Sequence, residues 1–301
     1  MSASYGGPVT STQLDQVRTE RDIPTRRISF ESALAELPRH YTADGDLISS
    51  HLVAILSSVF PDGEDFFVRS VRHYRDQISD PKLKEQVKGF IGQESMHGRE
   101  HRQFNRRLAE LGYPTRRIER FTRWGLAQRS RIAPPVSNLA ATAALEHFTA
   151  ILAERILTDE DLRRMVGHEA VRDLFLWHAL EESEHKAVAF DVYRAVGGTE
   201  RMRIITMKIT RYGFVMGMTL QTVASLLGDR STYQPGRLRR SWQRLRAAGF
   251  IDRQLWADLK AYERRGFHPD DRDTSGLVEH WRAELFGESG SLSDLLGRAT
   301  A

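Results

Sequence analysis

The chain has 301 residues, 44 Lys and Arg against 40 Asp and Glu for a formal charge of +4, and 40% hydrophobic residues. With a mean hydropathy of −0.46 this is a globular composition, long enough to bury a core without covalent staples. It contains no cysteine, which excludes disulfides, thiolate metal sites, thiol nucleophiles and cysteine-held iron–sulfur clusters, so a metal could be held only by His, Asp or Glu.

Residues 1–25 are polar, rich in Ser, Thr and Gly, and lack a sustained period, so they are expected to form a mobile arm. They also lack the basic-then-apolar pattern of a secretory signal, which predicts a cytoplasmic protein. From about residue 47 helical periodicity dominates and alternating strand patterns are missing, so the fold class is all-α. Pro61 and Gly63, Pro81, Gly112 and Pro114, Pro134 and Pro135, Gly197 and Gly198, and Gly228 punctuate the pattern. They predict a bundle over residues 26–195 and accessory helices over 196–301 packing on it.

The break at Pro61 and Gly63 is read as opening a helix with Glu64, Phe67, Val71, Tyr74 and Ile78 on one face. Asp80-Pro81 then reads as N-cap and first residue of a helix over 81–111 that ends at Gly112. Its core stripe is Leu83, Val87, Phe90, Glu94, His97, His101, Phe104, Leu108 and Leu111, apolar at both ends and acid–imidazole in the middle. A third helix over about 137–157, opened by Pro135 and the cap-type Ser137, carries Leu139, Thr142, Glu146, Thr149, Ala153 and Ile156 on one stripe. A fourth over about 170–193 carries Val171, Phe175, His178, Glu182, His185, Ala189 and Val192.

Each of these four helices brings an acid to its buried stripe, and no Arg or Lys lies on the stripes to pair with them. An uncompensated buried carboxylate is costly, so bound cations are the simplest compensation. In chain order the contributions are Glu64, Glu94-x-x-His97, Glu146 and Glu182-x-x-His185. That is the dinuclear carboxylate pattern of ferritin-like four-helix bundles, with two single Glu and two Glu-x-x-His helices. The separations of 30, 52 and 36 residues suit two hairpins joined by a crossover. His178 extends one motif to His-x-x-x-Glu-x-x-His, and His101, one turn after His97, is a further ligand candidate or a supporting donor. Glu181 and His147 sit off their stripes and read as supporting or solvated groups.

The stretches FIGQESMHGREHRQFN (90–105), ATAALEHFTA (141–150) and WHALEESEHKAVAFDVY (177–193), together with FPDGEDFFVRSVRHYRDQISDP around Glu64, resemble the bacterial family labelled predicted metal-dependent hydrolase. The resemblance runs over roughly 25–270 and takes in Phe267-His268-Pro269. The ligand pattern is also similar to that of diiron arylamine N-oxygenases, which implies Glu64, Glu94, His97, Glu146, His178, Glu182 and His185 as ligands.

Carboxylates with neutral imidazoles suit Fe(II), or Mn(II), better than softer metals. The reading is therefore a diiron oxygenase or oxidase with two Fe ions, O₂ and a small-molecule substrate, and in addition an electron donor. Tyr74, Trp177 and Tyr193 are read as packing groups, with electron transfer as their alternative role. The alternatives are a hydrolase working through metal-activated water, with Glu181 or His147 as acid, and a non-catalytic metal-binding or storage bundle. A homodimer is expected.

Nucleic acid is not an expected partner, because the positive charge is interleaved with acids; Arg237, Arg239, Arg240, Arg244 and Arg246 form the one locally basic stretch. The uncharged run Tyr212–Gly228 is short for a span and carries Thr219, Gln221, Thr222 and Ser225, so a packed helix is preferred to membrane contact. Met202, Met207, Phe214, Met216 and Met218 are core candidates, one of which could wall an apolar channel.

Overall fold

Asp80 and Pro81 set the clearest helix start in the chain: the Asp80 carboxylate accepts from the Lys82 N–H at 2.9 Å, and Pro81 opens the helix where no donor is needed. In the computed structural model, which describes residues 22–249 and 252–297, this helix runs Pro81–Glu110 and Gly112 follows it at φ +91. In chain order the helices are α1 Glu31–Leu34, α2 Leu47–Arg72, α3 Pro81–Glu110, α4 Thr115–Ile132, α5 Pro135–Thr158, α6 Glu160–Val166, α7 Glu169–His185, α8 Val188–Ala195, α9 Glu200–Leu227, α10 Arg237–Ala247, α11 Arg253–Ala261 and α12 Ser275–Phe286. The described residues contain no strand beyond an isolated antiparallel bridge between Ile28 and Leu296.

Helices α2, α3, α5 and α7 form the bundle, and their polar centre lies between two apolar clusters. Along α3, Val87 and Phe90 belong to one cluster and Phe104 and Leu108 to the other; along α5 the order is the same, Leu139 then Leu157. Along α2 it reverses, Val53 before Phe66, and α7 continues from Leu174 in the second cluster towards Val188 of α8 in the first. Thus α2 and α3 run antiparallel, α5 and α7 run antiparallel, and α4 is the crossover between the two pairs.

Two helix boundaries differ from the sequence reading. Pro61 and Gly63 do not break a helix: α2 runs unbroken through both, so Glu64 lies in its second half and Tyr74 and Ile78 fall beyond its end. Proline removes the N–H that would bond the carbonyl of Ser57, and the side-chain amide of Asn105 on α3 donates to that carbonyl instead, at 3.1 Å. The helix expected to continue to 193 ends at His185, and α8 resumes at Val188. In the gap, buried Lys186 sends its ammonium to the Arg272 carbonyl at 2.6 Å and the Thr274 hydroxyl at 2.9 Å. Ser137 makes no cap; its hydroxyl accepts from Arg129 at 3.1 Å.

Most of the arm expected over 1–25 lies outside the described residues. Its last part does not stand free: Ile23 is buried in the first cluster, and the Pro24 carbonyl accepts from Gln93 at 3.0 Å. After residue 195 the chain packs helices on the bundle. Helix α9 buries Arg203, Met207, Arg211 and Leu226 and turns Ile209, Tyr212, Met216 and Leu220 outward. No helix among the described residues is long and apolar enough to cross a membrane.

Candidate metal centre

The four stripes meet. Glu64 from α2, Glu94 and His97 from α3, Glu146 from α5, and His178, Glu182 and His185 from α7 are all buried. His185 Nε2 is 3.1 Å from Glu94 Oε1, 3.4 Å from Glu146 Oε2 and 3.6 Å from Glu182 Oε2. His97 Nδ1 is 3.7 Å from Glu94 Oε1 and 3.8 Å from Glu182 Oε1, while His178 Nε2 is 2.9 Å from Glu182 Oε1 and 4.0 Å from Glu64 Oε1. Four overlapping triads with metal-ligand spacing form here, one of them including His101. Among the described residues, every ion pair of these four carboxylates is with a histidine, and Arg102 acts on Glu64 without pairing with it.

The atoms facing the common centre are left unpaired. Both oxygens of Glu64, Glu94 and Glu146, Oε2 of Glu182, Nδ1 of His97 and Nε2 of His185 are buried without a hydrogen bond. Native proteins seldom leave buried polar atoms in this state unless a further species is bound there. The outward atoms, by contrast, are all held. His97 Nε2 lies 3.0 Å from Glu181 Oε2, and Arg26 clamps Glu181 Oε1 at 3.0 Å. His185 Nδ1 lies 2.8 Å from Gln93 Oε1, whose amide is oriented by donating to the Pro24 carbonyl and to Glu184 at 2.7 Å. Each imidazole therefore keeps its proton on the outer nitrogen and can turn a lone pair inward.

His178 is oriented by a longer chain. Asn105 donates from Nδ2 to the Ser57 carbonyl and to Glu119 at 2.8 Å, which leaves its Oδ1 to accept from the Ser57 hydroxyl at 2.7 Å. Ser57 Oγ then accepts from His101 Nδ1 at 2.9 Å, and His101 Nε2 accepts from His178 Nδ1 at 2.7 Å. The direction of every proton follows from the Asn105 amide, and it ends with the lone pair of His178 on Nε2, towards the carboxylates. His101 thus sits behind His178.

Electrostatics in the metal-free chain report the same crowding. Burial and the neighbouring carboxylates push Glu64 and Glu146 well above the ordinary carboxylate range. Glu94 and Glu182 are held below it, because the adjacent imidazoles of His185, His97 and His178 outweigh their burial. Burial opposes charge on His97 and His185 as well, yet the bond to Glu181 and the adjacent carboxylates of Glu94, Glu146 and Glu182 raise His97 to about 10 and His185 well above its usual value.

Glu181, fully buried, is a supporting group of His97. His147 is not part of the centre; it is buried beside Tyr262 and bonds the Asp258 carbonyl at 3.0 Å. Trp177 packs edge-on to His97 at 4.9 Å, and the Tyr193 hydroxyl bonds the Thr199 carbonyl at 2.8 Å. The supports Gln93, Arg26, Ser57 and Asn105 escaped the sequence reading. A signal for one existed: the residue before each motif acid, Gln93 before Glu94 and Glu181 before Glu182, holds the motif histidine of the other helix.

A model of one protein family matches residues 24–273 of the chain. The chain belongs to the family described as predicted metal-dependent hydrolases. The span matched by that family takes in every candidate ligand and supporting residue named above and ends before α12. No match was found among the curated proteins or among the solved structures.

Proposed function

We propose that the centre holds two iron ions and activates O₂, making the protein a dinuclear oxidoreductase. The observation that carries this reading is the set of unpaired, inward-facing carboxylate and imidazole atoms on four helices. Four carboxylates match the charge of two divalent cations, and the mixed oxygen and nitrogen donors suit Fe(II), or Mn(II), rather than a soft metal. When bound, iron would supply reversible one-electron chemistry and a place for O₂. The chain's part is to hold the ligands: Glu181, Gln93 and His101 fix the three imidazoles, and the packing of half-buried Phe60 and of buried Phe90 and Trp177 around those rings limits the access of water. An oxygenase reaction would draw on an external electron donor, whereas an oxidase reaction would take its electrons from the substrate.

The family description favours a second reading, hydrolysis by metal-activated water. That chemistry needs a general acid near the centre. Glu181 is engaged by His97 and Arg26, and His147 by a backbone carbonyl, so neither is available in the geometry described.

Anaerobic loading with Fe(II) followed by metal analysis and exposure to O₂ tests the proposal. About two irons per chain and a transient visible absorption on mixing with O₂ are expected. An O₂-inert loaded protein that hydrolyses esters or phosphoesters, with activity lost in Glu94→Ala, would replace it by the hydrolase reading. Uptake of many irons per chain would favour storage.

A further inference from the structure

Two apolar cavities meet behind the candidate ligands. The inner one, about 80 Å³, is bounded at the metal end by Phe60, Phe175, His178 and Glu182. The outer one is an open groove of about 950 Å³ between α2, α5, α9, α10 and α11, with Phe214, Met218, Trp242 and Trp256 in its walls. Leu52, Leu56 and Leu152 line both. All three stay only part-buried although they belong to bundle helices, because they border this space; they stand between groove and inner cavity. Ile48 in the groove and Phe60 at the metal end lie about 18 Å apart along α2 at the ordinary helical rise.

Charge is confined to the mouth. Asp252 is taken up by Arg155, with its Oδ1 2.8 Å from Nη1, whereas Arg253 is exposed and has no ion-pair partner among the described residues. The arginines of the adjoining α10 do not line the groove: Arg237, Arg240 and Arg244 lie with Asp44 and Asp46 in a separate pocket, which leaves Arg253 as the cation lining the groove. At the inner end, Glu182 repels an anion. A ligand that fits is therefore elongated and apolar along its length, with a negative group left outside at the mouth.

We infer that the substrate of this centre is a long-chain amphiphile with an anionic head, an alkyl or acyl chain entering tail first past Leu52 and Leu152, with its head at Arg253. That the chain end is a substrate rests on the metal reading above; that the groove binds such a molecule does not. A free fatty acid and a lipid drawn from an anionic bilayer share this chemistry.

Titration calorimetry with laurate and with butyrate on the full chain, metal-loaded and metal-free, tests it. Saturable laurate binding at one site per chain is expected, with butyrate binding at least tenfold weaker. Arg253→Ala, a surface change, should weaken laurate about tenfold, and Leu152→Trp should abolish the advantage of the longer chain while iron content stays unchanged. Co-sedimentation with phosphatidylglycerol vesicles would identify the bilayer as the source, and binding of laurate without co-sedimentation would identify the free acid. No saturable laurate binding, or binding indifferent to both variants, overturns the inference even in a protein that carries two irons. Laurate binding with normal variant effects in a protein that takes up no metal would instead remove the metal reading and leave the groove as a lipid-binding site.

Discussion

Gln93 on α3 holds His185 on α7 with 2.8 Å between Oε1 and Nδ1, and Glu181 on α7 holds His97 on α3 at 3.0 Å, so each motif helix orients the other's imidazole across the two helix pairs. Both supports directly precede the acid of a Glu-x-x-His motif. Supports of this kind fix the tautomer and ring plane of a ligand, and losing one typically weakens metal binding by about 10–100-fold. Gln93→Ala and Glu181→Gln are each expected to weaken Fe(II) in competition against a chelator by about that factor, with helix content by circular dichroism unchanged. Unaltered affinity in both variants would mean that the inward nitrogens hold no metal.

Asn105 serves two ends: it replaces the hydrogen bond that Pro61 denies to the Ser57 carbonyl and it sets the proton direction running to His178. Asn105→Ala should destabilise the protein by about 1–3 kcal/mol, the cost of leaving buried partners unsatisfied. Pro61→Ala restores a backbone donor to Ser57, so the same Asn105 change should cost less in that background. A double-mutant cycle read by urea unfolding is expected to give a coupling of about 1 kcal/mol. Strict additivity would show that the Asn105 amide does not compensate Pro61.

Much of this arrangement is legible in sequence because periodicity carries it. The stripe from Leu83 to Leu111 locates Glu94 and His97 on one face, and Asp80, Pro81 and Gly112 bound that helix without reference to anything distant. The reading of Pro61 went astray for the opposite reason: a local rule about proline was overridden by Asn105, which is remote in sequence and brought near only by the α2–α3 packing. Arg26 was likewise invisible, since its role depends on a segment crossing α7 to reach Glu181 and Glu184, with Nη1 2.8 Å from Glu184 Oε2. The groove was foreshadowed only in part: Phe214 and Met218 do line it, but its other walls come from helices far apart in the chain.

Buried neutral histidines away from the centre make stability fall in mild acid. Burial lowers His51 to about 4 despite its bonds to Asp229, and burial lowers His147 to about 4. An unfolded histidine titrates near 6.5. Between those values the unfolded chain binds more protons than the folded one, so stability rises with pH across the window and is lost as pH drops from 6.5 towards 4. Each group should take away about 2 kcal/mol between pH 7 and pH 5. Glu64 and Glu146, held above the carboxylate range, contribute in the opposite sense over the same window, so the test is differential: the loss of urea midpoint that His147 causes on acidification should be missing from His147→Gln when it is compared with the parent at each pH. An identical pH slope in parent and variant would contradict the buried, uncharged state of that ring.

Glu146 sets the requirements of metal binding against those of folding. Both its oxygens are buried and unpaired, and nothing but His185 Nε2, at 3.4 Å, offers it a counter-charge among the described residues. A buried carboxyl whose oxygens stay unpaired carries a desolvation cost that an apolar side chain of similar size escapes, and His185 keeps Glu94 and Glu182 as neighbours. Metal-free Glu146→Leu is therefore expected to melt at or above the temperature of the metal-free parent. With Fe(II) present the order should invert. A ligand that binds only the folded state adds stability by mass action, about 2.7 kcal/mol at a hundredfold excess over its dissociation constant, and the variant that lacks this acid would forgo most of that gain. Differential scanning calorimetry of both proteins with and without metal distinguishes the outcomes. If Glu146→Leu is the less stable protein without metal and gains as much from Fe(II) as the parent, the acid is a structural group and takes no part in holding cations.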